Sequence, residues 1–396
     1  VNYTAFRRRY LAADADVQSA AQRGEHGHNR ELVSLTEALR SGKMRPHDFS
    51  LQQLFDEFVG ESVRKTFNPR FNGHGSAPLS PLLEDVSAVS TTHFSNITGQ
   101  IVYSTVLEAW NNPMLIGGDL CTTIPTVFDG EKIAGIGGIG DQAESIGEGQ
   151  NYPFAGLSEE WIETPSTIKR GMIVPVTKEA IFFDRTGLVL SRAGEVGMYI
   201  ALNKEKRILD MALGLTTSYR RNGGAAQATY GDTHTQGDFD NLAASNALAD
   251  YTDIENALLL FDAMTDPNTG EPIIVDANTI VVPTALSMTL DRILNATQVG
   301  NTASANTPVG ANPLRGNQFQ KKSNAYVKAR TSSASTWFVG DFKGAFVYME
   351  NWPITVTQAP PNSHDEFHRD IVSQFKVSER GAAAVREPRR VVKNTA

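Results

Sequence analysis

"FHRDIVSQFKVSERGAAAVREP", Phe367 to Pro388, alternates apolar and polar side chains: Phe367, Ile371, Phe375 and Val377 share one face, and His368, Asp370, Gln374 and Lys376 the other. Period-two alternation makes this a half-buried strand, with one side on a core. Just upstream, "TWFVGDFKGAFVYMENWPITVTQ" (336–358) is rich in aromatic and β-branched residues and carries hairpin punctuation at Gly340-Asp341 and Glu350-Asn351. The chain therefore closes on strands.

Working back, an α/β unit precedes them. "YTDIENALLLFDAM" (251–264) reads as a helix opened by a Thr252–Glu255 capping box, with Ile254, Leu258, Phe261 and Met264 facing inward. "DPNTGEP" is turn chemistry, "NTIVV" a short buried strand, and "PTALSMTLDRIL" a helix with proline near its start. Residues 297–320, low in complexity, read as an exposed loop. The longest helical pattern lies in 184–214, and helix is expected from about 191 to 213. Met198, Leu202, Leu209 and Leu213 hold its apolar spacing, Lys206 and Asp210 stand at i,i+4, and Gly214 is placed to end it. Gly194 and Gly197 mark its beginning or a close packing contact.

Residues 126–176 form a distinct segment. "IAGIGGIGDQ" (133–142) contains a literal G-x-G-x-x-G at Gly135, Gly137 and Gly140. That pattern cradles a dinucleotide only when a buried strand enters it and a helix leaves it. Here "TVFDGEKIA" is short and polar, and Gly147, Gly149, Pro153 and Gly156 occupy the place of the helix. A flexible loop is the better reading, with a nucleotide-dependent enzyme as the remote alternative. After it, Ile168, Arg170, Met172, Val174 and Val176 alternate with Lys169, Gly171, Ile173 and Pro175, so two extended arms around a glycine-rich tip suggest a long hairpin. An isolated hairpin is marginal in water, so this one is expected to lie on another surface. Residues 1 to about 90 read as an arm: "SLQQLFDEFVGESVRKTF" is an amphipathic helix whose Leu54, Phe55 and Phe58 need an apolar partner. A further helix is expected over about 94 to 110.

Composition bounds the function. The 396 residues are 20% charged and 40% hydrophobic, with a net charge of -8, which argues against a surface built to grip nucleic-acid phosphates. Arg7, Arg8 and Arg9 lack a following apolar run, so no secretory signal is read there, and no membrane span is expected. "VREPRRVVKN" (385–394) is a local basic patch, a solvated tail or a subunit contact. The single Cys121 reads as a buried apolar residue. His364 and His368 have zinc-helix spacing, but Asp365 replaces the glutamate and the segment reads as strand entry; His26 and His28 sit in a glycine-rich arm. No hydrolase elbow or P-loop occurs. No catalytic group, cofactor or metal is expected.

The order arm, long hairpin, long helix, α/β unit and closing strands resembles the major capsid protein of tailed bacteriophages, the Hong Kong 97-type fold. "TPSTIKRGMIVPVTKEAIFFDRTG", "WFVGDFKGAFVY" and "FHRDIVSQFKVSERGAAAVREP", the last with an Arg-Gly turn and a following proline, carry the likeness, which covers most of 95–396. The resemblance implies an α+β chain with an N-terminal arm and extension over 1–95, a first part of the P-domain over 96–125 and an E-loop over 126–176. The P-domain spine helix then falls at 177–216, the A-domain at 217–335 and the closing strands at 336–396. Gly135, Gly137, Gly140, Trp161 and Lys169 would be the intersubunit loop residues. Leu54, Phe55 and Phe58 would be arm contacts, and Leu202, Leu209, Leu213, Phe367, Ile371 and Phe375 a single core. Some members crosslink a lysine to an asparagine; Lys132 or Lys169 would donate, while the matched strand position carries Asp370, an acid where the crosslink needs an amide. The implied function is a virion shell protein, assembled in the host cytoplasm as hexamers and pentamers around double-stranded DNA. Scaffolding, portal and cement proteins are its implied partners. A cargo-enclosing compartment of the same fold is the alternative.

Overall fold

The computed structural model describes residues 101–135 (except 103 and 113), 145, 146, 148, 151, 160–177, 188–232 (except 218), 239–300 (except 267 and 268), 309–359 (except 317 and 318) and 371–396. Leu54, Phe55, Phe58, Gly137, Gly140, Phe367, Asp370 and the His364–His368 pair lie outside these residues. Residues 101–110, described except at 103, form helix α1, followed by the single turn α2 (Gly117–Leu120). Strand β1 (Thr122–Pro125), the short strands β2 (Lys132–Ala134) and β3 (Trp161–Glu163), and β4 (Ile168–Thr177) precede the long helix α3 (Leu188–Ala212). Next come β5 (Leu242–Ala243), α4 (Tyr251–Asp262), β6 (Thr279–Val282), α5 (Thr284–Asn295), β7 (Gln298–Gly300), β8 (Val309–Ala311), β9 (Gln320–Ser323) and α6 (Ala325–Thr331). β10 (Trp337–Gly340), the turn α7 (Phe342–Ala345), the long strands β11 (Phe346–Gln358) and β12 (Ile371–Val385), and β13 (Val391–Asn394) close the chain. The mixed α+β class expected from the sequence is the observed one.

Two compact units divide the chain. One takes the described part of Val1–Asn112 with Arg170–Ala201 and Ile354–Glu379; the other takes Pro113–Lys169, Leu202–Pro353 and Arg380–Ala396. In the first, α1 lies against α3, and a Cβ at Gly197 would come within 2.5 Å of the Val106 carbonyl oxygen. Gly197 is therefore inside the helix and serves close packing, and the helix begins earlier than its glycines suggest. There β4 is an edge strand hydrogen-bonded to β12, where a proline costs no ladder hydrogen bond; Pro175 points outward between buried Val174 and Val176.

The second unit is built on a five-stranded sheet of order β5-β13-β10-β6-β9, with β10 antiparallel to both β13 and β6, and β9 parallel to β6. Its central strands β10 and β6 are fully buried and almost wholly apolar because both faces are covered. Val281, Phe338 and Val391 join Leu209, Met211 and Leu213 of the long helix and its end. The alternate residues Ile280, Val282, Trp337, Val339 and Val392 face Ile254, Phe261, Leu290 and Ile293 of α4 and α5. α3 ends at Gly214, where Leu215 N–H donates to the Asp210 carbonyl and Gly214 N–H to that of Met211.

Several readings are corrected. The closing strands contain no turn at Glu350-Asn351 or Arg380-Gly381: β11 and β12 run through both. A Cβ at Gly381 would fall 2.6 Å from the Tyr348 hydroxyl and 2.7 Å from the Met349 carbonyl oxygen, so this glycine permits strand approach. Gly340-Asp341 leads into the α7 turn, Asp341 accepting from Gly344 N–H, instead of a hairpin. α4 is capped by Asp250 with Asp253, not by Thr252 with Glu255. Asp210 pairs with Arg330 (2.5 Å), and Lys206 lies over the Tyr326 ring. Within 297–320, β7 and β8 pair as a small antiparallel ribbon. The carboxyl-terminal "basic patch" is not a solvated tail: Arg389 is fully buried and β13 is an inner strand of the sheet. Of the residues expected to share a core, Leu202, Leu209 and Leu213 are buried in the second unit and Ile371 and Phe375 in the first.

Candidate assembly interface

The glycine-rich segment springs from a rigid root. β2 and β3 pair antiparallel, with Lys132 opposite Glu163, Ile133 opposite Ile162 and Ala134 opposite Trp161, and Gly135 N–H donates to the Glu160 carbonyl at 3.3 Å. The second arm, β4, is not part of this pair; it is hydrogen-bonded to β12. The hairpin therefore closes at Trp161–Glu163 instead of extending to Val176. β2 has three residues, two of them exposed, which is not the buried strand a dinucleotide loop requires.

A second loop backs the root. "RRNGG" (220–224) lies along β3: Glu163 N–H donates to the Arg220 carbonyl (3.0 Å), Asn222 N–H to the Trp161 carbonyl (2.9 Å), and Trp161 N–H to Asn222 Oδ1 (3.0 Å). Arg221 forms an ion pair with Glu160, and the Lys132 ammonium sits 4.5 Å above the Trp161 ring. Ile162 is fully buried with Tyr219. Glu387 and Arg389 form a fully buried ion pair at 3.0 Å, with the Arg389 guanidinium 4.6 Å above the Phe239 ring. Burial holds the Glu387 carboxyl above its ordinary range against the opposing pull of Arg389.

The turn before β2 is equally fixed. Asp129 Oδ1 accepts from Thr167 N–H (2.8 Å) and hydroxyl (3.0 Å), with Arg380 at 3.3 Å, and these hold its carboxyl below the usual range. Asn351 Nδ2 donates to the carbonyls of Thr126 (3.1 Å) and Phe128 (2.9 Å). This scaffold displays apolar side chains to solvent: Val127 is 88% and Phe128 62% exposed. Nearby, Glu205 accepts from Ile116 and Gly117 N–H at 2.9 and 2.7 Å, and burial pushes the Cys121 thiol up to about 12.

Of the loop residues picked from sequence, Gly135 and Trp161 meet at this root and Lys169 lies exposed at the start of β4. Arg221, Asn222, Asp129 and the Glu387–Arg389 pair were missed. The Asn222-Gly223 dipeptide, a strong short-range hairpin signal, was the legible clue to the first two. No cluster of metal-ligand side chains occurs among the described residues. Nor is any helix there long and apolar enough to cross a membrane.

Residues 161–394 match the family model described as phage capsid protein. No curated protein sequence matches the chain. Among solved structures it is similar to the capsid of cyanophage P-SCSP1u, at 12% identity and a TM-score of 0.44 over 70% of this chain and 86% of that one. It is also similar to Gordonia phage Cozz (14%, 0.43, 71% and 86%). A third likeness is to the virus-like particle from Pyrococcus furiosus (11%, 0.38, 74% and 96%).

Proposed function

Because this chain belongs to the phage capsid protein family, a structural shell protein of the virion that assembles in many copies, we propose that its copies build a closed icosahedral shell around a double-stranded DNA genome. In this reading the glycine-rich hairpin, 126–176 by the sequence boundary, is the clamp laid across neighbouring copies. The 217–335 region is the A-domain, and scaffolding, portal and cement proteins are the partners during assembly in the host cytoplasm. The observation that carries the reading is the family match across residues 161–394, more than half of the chain. The root geometry supports the clamp. The glycine-rich sequence offers few apolar side chains for a core of its own, whereas its root is pinned by the backbone of 220–222 and the Glu160–Arg221 pair. Weak contacts made by such a loop become sufficient when symmetry repeats them.

A compartment enclosing protein cargo is the alternative, and the contents separate the two. Particles purified from cells producing the phage should protect DNA from added nuclease. Particles holding an enzyme and no protected nucleic acid would favour the compartment.

A further inference from the structure

The turn that backs the root of the glycine-rich segment carries a chemistry that the shell reading leaves unused. Asn-Gly occurs twice in the sequence, at 72–73 and at 222–223, and the second pair lies among the described residues. Asn222 (φ 52°) and Gly223 (φ 73°) are both left-handed, and Gly224 N–H donates to the Arg221 carbonyl at 2.9 Å, so 221–224 is a tight turn of the kind Asn-Gly favours. The turn is tied to β3 in both directions. Asn222 N–H donates to the Trp161 carbonyl (2.9 Å), and Asn222 Oδ1 accepts from Trp161 N–H (3.0 Å). Asn222 and Gly223 are themselves exposed, so water reaches the peptide bond between them. A Cβ at Gly223 would meet only Glu163 Oε1 among the described residues, at 3.9 Å.

An asparagine side-chain amide is open to attack by the next main-chain nitrogen, and a following glycine has no side chain to obstruct the ring that forms. Here the Gly223 nitrogen bonds to Asn222 Cγ and gives up its proton, while the Cγ–Nδ2 bond breaks and the amide nitrogen leaves with that proton as ammonia. Water then opens the five-membered succinimide. Opening at Cγ gives aspartate, and opening at the main-chain carbonyl carbon gives isoaspartate, whose main chain runs through Cβ and Cγ. The balance is one water consumed and one ammonia released. Ring closure requires the Asn222 main chain to leave its left-handed conformation, which the two hydrogen bonds with Trp161 hold in place. The reaction therefore runs at the free-chain rate scaled by the fraction of time the turn is open. Aspartate at 222 keeps an acceptor for Trp161 N–H and tolerates the left-handed region. Isoaspartate adds a main-chain carbon inside the turn, which displaces Gly224 N–H from the Arg221 carbonyl. We propose that Asn222 is a site of spontaneous deamidation, and that its isoaspartyl product irreversibly releases the root of the glycine-rich segment.

The test ages unassembled full-length subunits at neutral pH beside the same subunits unfolded in urea. Mass-spectrometric peptide mapping follows the amide-to-acid mass gain at Asn222, resolved from Asn72, and an isoaspartyl methyltransferase identifies the isoaspartyl fraction. Folded subunits should deamidate at Asn222 measurably but more slowly than unfolded ones. Glu160→Gln, which removes the ion pair with Arg221 and leaves the turn sequence intact, should speed the folded reaction about tenfold. Lys132→Gln, an exposed change that takes the ammonium from the Trp161 ring, should speed it about threefold and guards against misfolding of the first variant. Isoaspartyl subunits, separated by charge, should be cut faster by protease between β2 and β3 than fresh subunits, whereas freshly purified Asn222→Asp should resist as the wild type does. No conversion at Asn222 in folded subunits while the unfolded chain converts would overturn the proposal, as would a folded rate equal to the unfolded one or unmoved by either variant. Isoaspartyl subunits as resistant as fresh ones would overturn release of the root. The measurement is made on subunits alone, so its failure is distinct from failure of the shell reading.

Discussion

Arg389 shows how far a residue's role can depart from its local sequence. "REPRR" suggests a solvated basic tail, yet Arg389 and Glu387 are fully buried and bonded to each other at 3.0 Å. Removing one member of a buried pair leaves the other charge poorly compensated, so Glu387→Gln should destabilise the unassembled subunit by about 3–5 kcal/mol in urea titration. The double change Glu387→Gln with Arg389→Met should recover most of it, because two neutral groups carry no desolvation cost. Asp129 makes the opposite case at the surface. Its carboxyl is held below the ordinary 3.8, chiefly by the Thr167 hydrogen bonds. A depressed value means the turn's stabilisation is present above the ordinary carboxyl range and is lost as pH falls through the folded value. The protection factor of the Thr167 amide, with the intrinsic pH dependence of exchange divided out, should hold from neutral pH down to that range and fall below it. Loss of protection at mildly acidic pH would contradict this. Neither role was legible beforehand: Glu387 and Arg389 are close in sequence but owe their burial to distant groups such as Phe239, and Thr167 and Arg380, the partners of Asp129, lie far away in the chain.

At the scale of elements, legibility followed the strength of the pattern. "NTIVV" and "WFVG" were readable as strands because double-sided burial leaves an almost unbroken apolar run. The long helix was readable from its spacing, although it starts at Leu188 because Gly197 is held by packing against Val106. The uninterrupted β11 and β12 were not. Polar and glycine residues that usually mark turns are kept in the strand by tertiary partners: Asn351 donates to the 126–128 turn, and Gly381 gives room to Tyr348. Extended chain was readable on either side of the glycine-rich stretch, but not the place where the two arms pair, since the backing by Arg220–Asn222 comes from a separate loop. This division predicts separable phenotypes. Leu209→Ala, in the fully buried helix face, should cost about 2–5 kcal/mol and lower the thermal midpoint of the subunit. Deleting 136–151 beyond the root should leave that midpoint unchanged and prevent closed shells. A deletion that unfolds the subunit, with Leu209→Ala silent, would reverse the assignment of core and clamp.

For the whole molecule, membership of the phage capsid protein family gives the described units a common purpose. The core of the second unit supplies a rigid body, and the root fixes where the glycine-rich chain leaves it. An acidic chain of net charge -8 is compatible with a container whose wall holds DNA without gripping it. The central claim is that the segment beyond the Glu160–Arg221 root joins one copy to the next. Electron cryomicroscopy of shells assembled from the purified protein tests it most directly. The account predicts closed particles in which density for residues 136–151 leaves the root and lies on a neighbouring copy. Closed particles in which that segment folds back on its own subunit would contradict it.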